Sequence, residues 1–322
     1  MGRLKNEFAW SRGREEELDA CLRRYWFSRY GGWGGWERGA PRRTYELYVL
    51  KKIQNRWMWA GGLVHDHVEA VVRTVRSGNR TTIIRETRTS ETMARMRKEF
   101  ASSREGRYWS HPKTCALYEH EYGQDVSREK WKELADNVKK ALGNFYRGPG
   151  YFDVLQVTRD GGEWLDVEDF ASFRVEGVKV AVKLDLAHRR SSGRIAVRDW
   201  KTGAKKLAVH APQLVQYSMY ASDKWGVPVD EVELLLHNLQ TDERLPFTAT
   251  RADADALTET IVTGAEKMRA LLVDGDAERN EALPEEEFPA SGDARDCKWC
   301  QFQKLCPRWA TPDGSADDDP FA

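Results

Sequence analysis

The apolar positions along the chain change their period at about residue 150. Before it they recur at helical spacing. Val64, Val68, Val71, Val72 and Val75 fall on one stripe at about 100° per residue, which predicts a helix with one buried face. Residues 15–29 read as another helix, acidic in the first turn and basic toward the end. It runs into a loop at 30–36 that holds four glycines with Trp33 and Trp36, a composition no regular element favours. A further helix is expected from about Thr44, and 81–148 reads as charged helical segments broken near Ser110-His111-Pro112.

Beyond Gly150 the period shortens to two. Residues 178–186 alternate, and 194–201 form a second β-rich run across turn residues, so the two predict an antiparallel hairpin. Pro212 suits the first turn of a helix over 213–225, 232–239 reads as a buried strand, and 253–273 as a last long helix. The acidic stretch 311–322 is expected to be disordered. The pattern therefore predicts an α/β protein in four parts. A helical region, 1–150, is followed by an α/β core, 151–250, a C-terminal helix and cysteine segment, 251–310, and the tail, 311–322.

Composition refines this picture in two ways. With 322 residues and 40% apolar content the chain has enough to bury a core, and no apolar run long enough for a signal peptide or a membrane span stands out. We expect a soluble, cytoplasmic protein with no membrane partner. Lys plus Arg equals Asp plus Glu at 51 each, yet up to Gly148 there are 30 basic against 19 acidic residues, and beyond it 21 against 32. The balance thus conceals a basic first half suited to a polyanion and an acidic second half. Trp33 and Trp36 among glycines and arginines suit base stacking, but their local pattern suits core packing or shielding of a cluster better.

Asp199 and Lys201 stand two apart on a predicted strand and share a face, with Asp185 placed on its neighbour. Two carboxylates amid apolar strands cost desolvation energy unless they pair or hold a cation, and like charges together favour the cation. Mg²⁺ or Mn²⁺ suits such oxygen ligands, and a lysine beside it could orient water or offset developing charge. Solvated cross-strand pairs would satisfy the same pattern.

Asp185, then Asp199-Trp200-Lys201-Thr202-Gly203, then Gln213-Leu214-Val215-Gln216-Tyr217 resemble the PD-(D/E)XK nuclease superfamily, in particular its RecB-like branch. The resemblance implies a restriction-endonuclease-like fold, a central mixed sheet flanked by helices, with helical N-terminal additions and a C-terminal iron–sulfur segment. It implies that Asp185 and Asp199 bind metal, that Lys201 is catalytic, and that Gln213 and Tyr217 stand beside the site. Gln216 and Tyr220 have the same spacing. Gly61-Gly62-Leu63-Val64-His65 matches the branch's upstream G-x-x-x-H, which makes His65 a further metal ligand, although His65 and His67 flank the valine stripe on opposite sides. Val182 stands where a glycine is often found three residues before the first acid.

Five cysteines in a chain of this length do not form a secreted disulfide framework. Cys297, Cys300 and Cys306 supply three thiols in ten residues and invite a fourth, either Cys21 or Cys115. The set resembles the iron–sulfur subset of RecB-like nucleases, which includes the AddB nuclease domain and the CRISPR-associated Cas-four-type exonucleases. That resemblance implies a [4Fe–4S] cluster on Cys21, Cys297, Cys300 and Cys306. It also implies a metal-dependent exonuclease acting on single-stranded DNA or DNA ends, in CRISPR spacer acquisition, repair or defence, with an integrase complex or helicase as partner. A non-catalytic iron–sulfur DNA-binding scaffold and a redox-sensing regulator are the competing readings.

Overall fold

The structure, a computed structural model, describes residues 4–78, 84–204 and 206–310. The tail expected to be disordered, 311–322, lies outside the described residues. The chain forms two compact units of interleaved segments: the described parts of Met1–Asn55, Ser102–Gln124 and Val262–Ala322, and those of Arg56–Ala101 and Asp125–Ile261. The division expected at 150, 250 and 310 follows the sequence, whereas packing sends Cys21 to the first unit and the His65 helix to the second.

The second unit is built on seven strands: β1 Glu163–Asp166, β2 Phe170–Val175, β3 Val178–Lys183, β4 Leu186–Arg189, β5 Ile195–Lys201, β6 Glu233–Asn238 and β7 Arg244–Phe247. Five of them make a mixed sheet in the order β1-β4-β5-β6-β7, while β2 and β3 pair as a separate ribbon. β5 and β6 run parallel, so the chain must cross over between them, and the helix Ala211–Trp225 makes that crossing. β5 is buried at every position but the last, as expected for a central strand covered on both faces. Its two interior charges are accommodated separately. Arg198 donates to Asp153 at 2.8 Å and to Glu233 at 3.0 Å, and Asp199 belongs to the site described below. The helix Arg56–Arg76 buries the valine stripe and Leu63, and packs on the helices Arg128–Arg147 and Pro149–Arg159. Gly61 and Gly62 lie inside this helix. Among the described residues no helix is long and apolar enough to cross a membrane.

Two expectations are corrected. The run 178–186 is not one strand of a hairpin with 194–201. It breaks at Leu184-Asp185, with β3 paired to β2 and β4 paired to β5, so Asp185 occupies the junction where the chain passes from ribbon to sheet. Alternation continues through the junction, which is why pattern alone hides it. The helix expected over 15–29 is likewise interrupted. Cys21 adopts an extended conformation and caps the helix Leu22–Trp26 through its sulfur.

In the first unit Phe27, Leu47, Leu50, Tyr108, Tyr118 and Phe302 form a buried cluster that draws in the C-terminal segment, with the Phe27 and Phe302 rings 5.3 Å apart. Trp33 packs edge-on against Trp36 at 5.0 Å, and Trp36 against Tyr48.

His188 on β4 is buried, and burial together with Arg198 and Arg190 lowers its pKa to about 3. A histidine whose folded pKa lies below its unfolded value contributes stability at neutral pH that is lost as pH falls below about 6.5. Between pH 7 and pH 5 the loss attributable to His188 is expected to be about 2 kcal/mol. Urea unfolding at the two pH values checks it, since His188→Leu should show a pH dependence smaller by about that amount.

Candidate active site

The helix Arg56–Arg76, the β1–β2 turn, the β3–β4 junction and the end of β5 bring the acids together. His65 Nδ1 lies 3.7 Å from Asp185 Oδ2 and 3.9 Å from Glu168 Oε1. Ligand atoms of His65, Glu168 and Asp185 all fall within 4.8 Å of one another, close enough to share one ion. Asp185 Oδ2 also accepts the Trp200 N–H at 2.8 Å, which ties the β3–β4 junction to β5. Lys183 pairs with the other oxygen of Glu168.

Asp199 and Lys201 stand beside this trio in a closed ring of contacts. Lys201 Nζ donates to Gln213 Oε1 at 2.9 Å, Gln213 Nε2 donates to the Tyr217 hydroxyl at 2.6 Å, and that hydroxyl donates to Asp199 Oδ1 at 2.9 Å. The ring closes through Lys201 Nζ, 2.7 Å from Asp199 Oδ2. That last contact is an ion pair without hydrogen-bond geometry, so Asp199 Oδ2 is buried with its acceptor capacity unused. A buried carboxylate oxygen in this condition, beside two further carboxylates and an imidazole, is a donor set that fits a hard divalent cation.

Electrostatics point the same way. Burial raises the pKa of Asp185, and the neighbouring Asp199 and Glu168 raise it further. Burial alone would lower the His65 pKa, but Asp185, Glu168 and Asp199 outweigh it and bring it up to about 9. Burial and Asp199 hold the Tyr217 phenol well above its ordinary value, so it remains a donor. A dication bound among the three acids would take the place of the proton that His65 holds and would favour the ionised form of Asp185.

The structure also separates the alternatives that spacing left open. His67 is buried between Thr92 Oγ1 at 2.7 Å and the Tyr146 hydroxyl at 2.9 Å, with its pKa lowered to about 4 by burial and Arg88. Gln216 donates to the Ala181 carbonyl, and Tyr220 to Asp166. Both therefore stand away from the Lys201 ring, which takes Gln213 and Tyr217. Gly61 has a packing reason: a Cβ there would sit 2.7 Å from Thr202 Oγ1, so the helix carrying His65 meets the end of β5 at that glycine.

Glu168 is the acid that pattern does not single out. It sits in a turn with φ of 53°, a left-handed conformation uncommon for a non-glycine residue, and its N–H donates to the Leu184 carbonyl at 2.9 Å. The available signal was an acid flanked by Val167 and Asp169 just after a β-like run, which also describes an ordinary turn. Glu168→Gln keeps the shape and removes the charge. It is expected to weaken Mn²⁺ binding by at least roughly tenfold, read by titration calorimetry on folded protein.

The four cysteines of interest lie in the first unit. Cys21 Sγ accepts the Arg24 N–H at 3.4 Å and the Ser291 N–H at 3.3 Å, and Arg308 Nη1 stands 3.7 Å from Cys297 Sγ. Cys300 follows Cys297 by one turn, its N–H on the Cys297 carbonyl, and Cys306 is buried against the aromatic cluster. Burial pushes the Cys300 thiol up to about 12, and Cys21 and Cys297 are near enough to add to the rise. Sulfur is the donor that soft metals prefer, and amide and guanidinium hydrogens aimed at Cys21 and Cys297 are what a metal-bound sulfur accepts. Cys115 is half-buried beside Ala116 and Leu117.

A mixed sheet with one acid near the end of a central strand, a lysine two residues on and further acids from the neighbouring junction and turn is the arrangement of a metal-dependent nuclease class. The match of a family model for the PD-(D/E)XK nuclease superfamily to residues 9–307 agrees with it. The chain belongs to that superfamily, whose members are generally nucleases that use divalent metals such as Mg²⁺ or Mn²⁺ on DNA. No curated protein matches the sequence. A solved structure titled "Crystal structure of SSO0001" is 18% identical over 60% of this chain and 80% of its own, with a TM-score of 0.27, too weak a likeness to bear on the fold.

Proposed function

We propose that the protein hydrolyses phosphodiester bonds of single-stranded DNA or DNA ends as an exonuclease, with Mg²⁺ or Mn²⁺ held by His65, Glu168, Asp185 and Asp199. The observation that carries this is the Lys201–Gln213–Tyr217–Asp199 ring beside the His65–Glu168–Asp185 trio. The metal, when bound, supplies Lewis acidity and lowers the pKa of attacking water. Gln213 fixes the Lys201 ammonium beside Asp199, where it orients water and offsets negative charge on the phosphate oxygens. Tyr217 holds the Asp199 carboxylate in one rotamer through its hydroxyl.

In this reading Cys21, Cys297, Cys300 and Cys306 hold a structural [4Fe–4S] cluster, and the protein acts in the cytoplasm in CRISPR spacer acquisition, repair or defence, beside an integrase complex or a helicase. Support comes from the amide and guanidinium donors around Cys21 and Cys297. Incubation of purified holoprotein with Mn²⁺ and single-stranded DNA labelled at either end tests the activity. The reading expects shortening from one end. Binding without metal-dependent cleavage would instead make the protein a DNA-binding scaffold, and affinity that changes on cluster oxidation would make it a redox regulator.

A further inference from the structure

Beside the acids, within the second unit, lies a pocket of about 450 Å³. Trp57, Leu134 and Val138 give it apolar walls, and Asn137, Gln240 and Thr202 add polar groups. Its edge is shared with the active site. Gly61 lines it and precedes His65 by one helical turn, about 6 Å along the axis, and Thr202 follows Lys201 directly.

We propose that this pocket receives one nucleobase of the strand being cut, adjacent to the scissile phosphate, a proposal that rests on reading the neighbouring acids and Lys201 as a nuclease site. Three features favour a base over another occupant. Trp57 is half exposed, and the Arg56 guanidinium lies over its ring, 3.8 Å from the centroid. A cation and an aromatic together are what single-strand grooves use for phosphate and base. Gln240 Nε2 donates to Asn137 Oδ1 at 2.9 Å, which orders both amides and leaves the Asn137 amide N–H as a donor and the Gln240 carbonyl as an acceptor in the pocket lining. The Watson–Crick edge of every nucleobase offers a neighbouring donor and acceptor, so the pocket holds a base without demanding one sequence. Two contacts hold the floor: Gly61 meets Thr202 there, and Asn238 Nδ2 donates to the Gly203 carbonyl at 2.8 Å.

The test uses the full-length holoprotein as Lys201→Ala, with Ca²⁺, bound to single-stranded oligonucleotides carrying 2-aminopurine at successive positions. One position is expected to lose fluorescence at least about twofold relative to its neighbours, with the contrast abolished in Trp57→Ala and restored in Trp57→Phe. In the Lys201 protein with Mn²⁺, an abasic site at that position is expected to slow cleavage about tenfold, and to slow Trp57→Ala no further. A fluorescence profile indifferent to Trp57, or no binding of the oligonucleotides, would overturn the proposal. So would quenching by free 2-aminopurine nucleotide with no positional preference in the strand, which would assign the pocket to a mononucleotide. If the positional contrast holds while no variant cleaves, the base pocket stands and the nuclease reading fails.

Discussion

Lys201→Ala is expected to lower the rate of cleavage of end-labelled single-stranded DNA by roughly 10²–10³-fold at saturating Mn²⁺, while affinity measured in Ca²⁺ changes by only a few-fold. In the proposed mechanism the ammonium acts in the transition state and not as grip on the strand. It is the sole side-chain cation in contact with Asp199 among the described residues, and Gln213 fixes its direction at 2.9 Å. Lys201→Arg keeps the charge but swaps a compact ammonium for a planar fork that the Gln213 and Asp199 geometry does not match, so it should recover little of the rate. Metal-free Lys201→Ala leaves Asp199 buried without its counter-charge and should unfold at lower urea than the parent protein. Added Mn²⁺ should narrow that gap, because a dication restores the missing positive charge. Cleavage by Lys201→Ala within about threefold of the parent rate would remove Lys201 from the mechanism.

How much of this site could be read from the chain depends on which residues carry a periodic signal. The valine stripe could be read because a one-sided helix writes its period into the sequence, and all five valines are buried. Asp199 and Lys201 could be read because they interrupt an apolar strand. Gln213 with Tyr217 and Gln216 with Tyr220 could not be separated, since both have helical spacing. The choice is made by which face of the helix Ala211–Trp225 meets Lys201 and Asp199, a tertiary fact. Glu168 carries only the signal of an ordinary acidic turn, because a left-handed turn has no repeat. Asp185 reads as a strand residue because alternation runs on through the junction where the chain changes partners. The charge split also has a different meaning in the folded chain. The basic first half contributes segments to both packed units, so its net charge of +11 is not the charge of any one unit.

Cys21→Ala is expected to cost the protein both its iron and much of the stability of the first unit, if the four cysteines hold a cluster. In the chain-entropy picture, joining residue 21 to residue 306 closes a loop longer than 100 residues, which stabilises by on the order of 5 kcal/mol. Part of that closure is already made by other contacts. The Arg23 N–H donates to the Pro289 carbonyl at 3.1 Å, Arg23 pairs with Glu285, and Phe27 meets Phe302. The cluster's own share should therefore be smaller, about 2–4 kcal/mol, still a large fraction of what a domain of this size has to lose. Alanine is the informative replacement, because a serine oxygen could retain a metal. Protein purified without oxygen should carry about four irons per chain with charge-transfer absorbance, and Cys21→Ala should carry few or none. Its first unfolding transition should also move to lower urea, while Cys115→Ala leaves iron and transition in place. Stoichiometric zinc without colour would replace the cluster by a zinc site, and iron retained in full by Cys21→Ala would remove Cys21 from the ligand set.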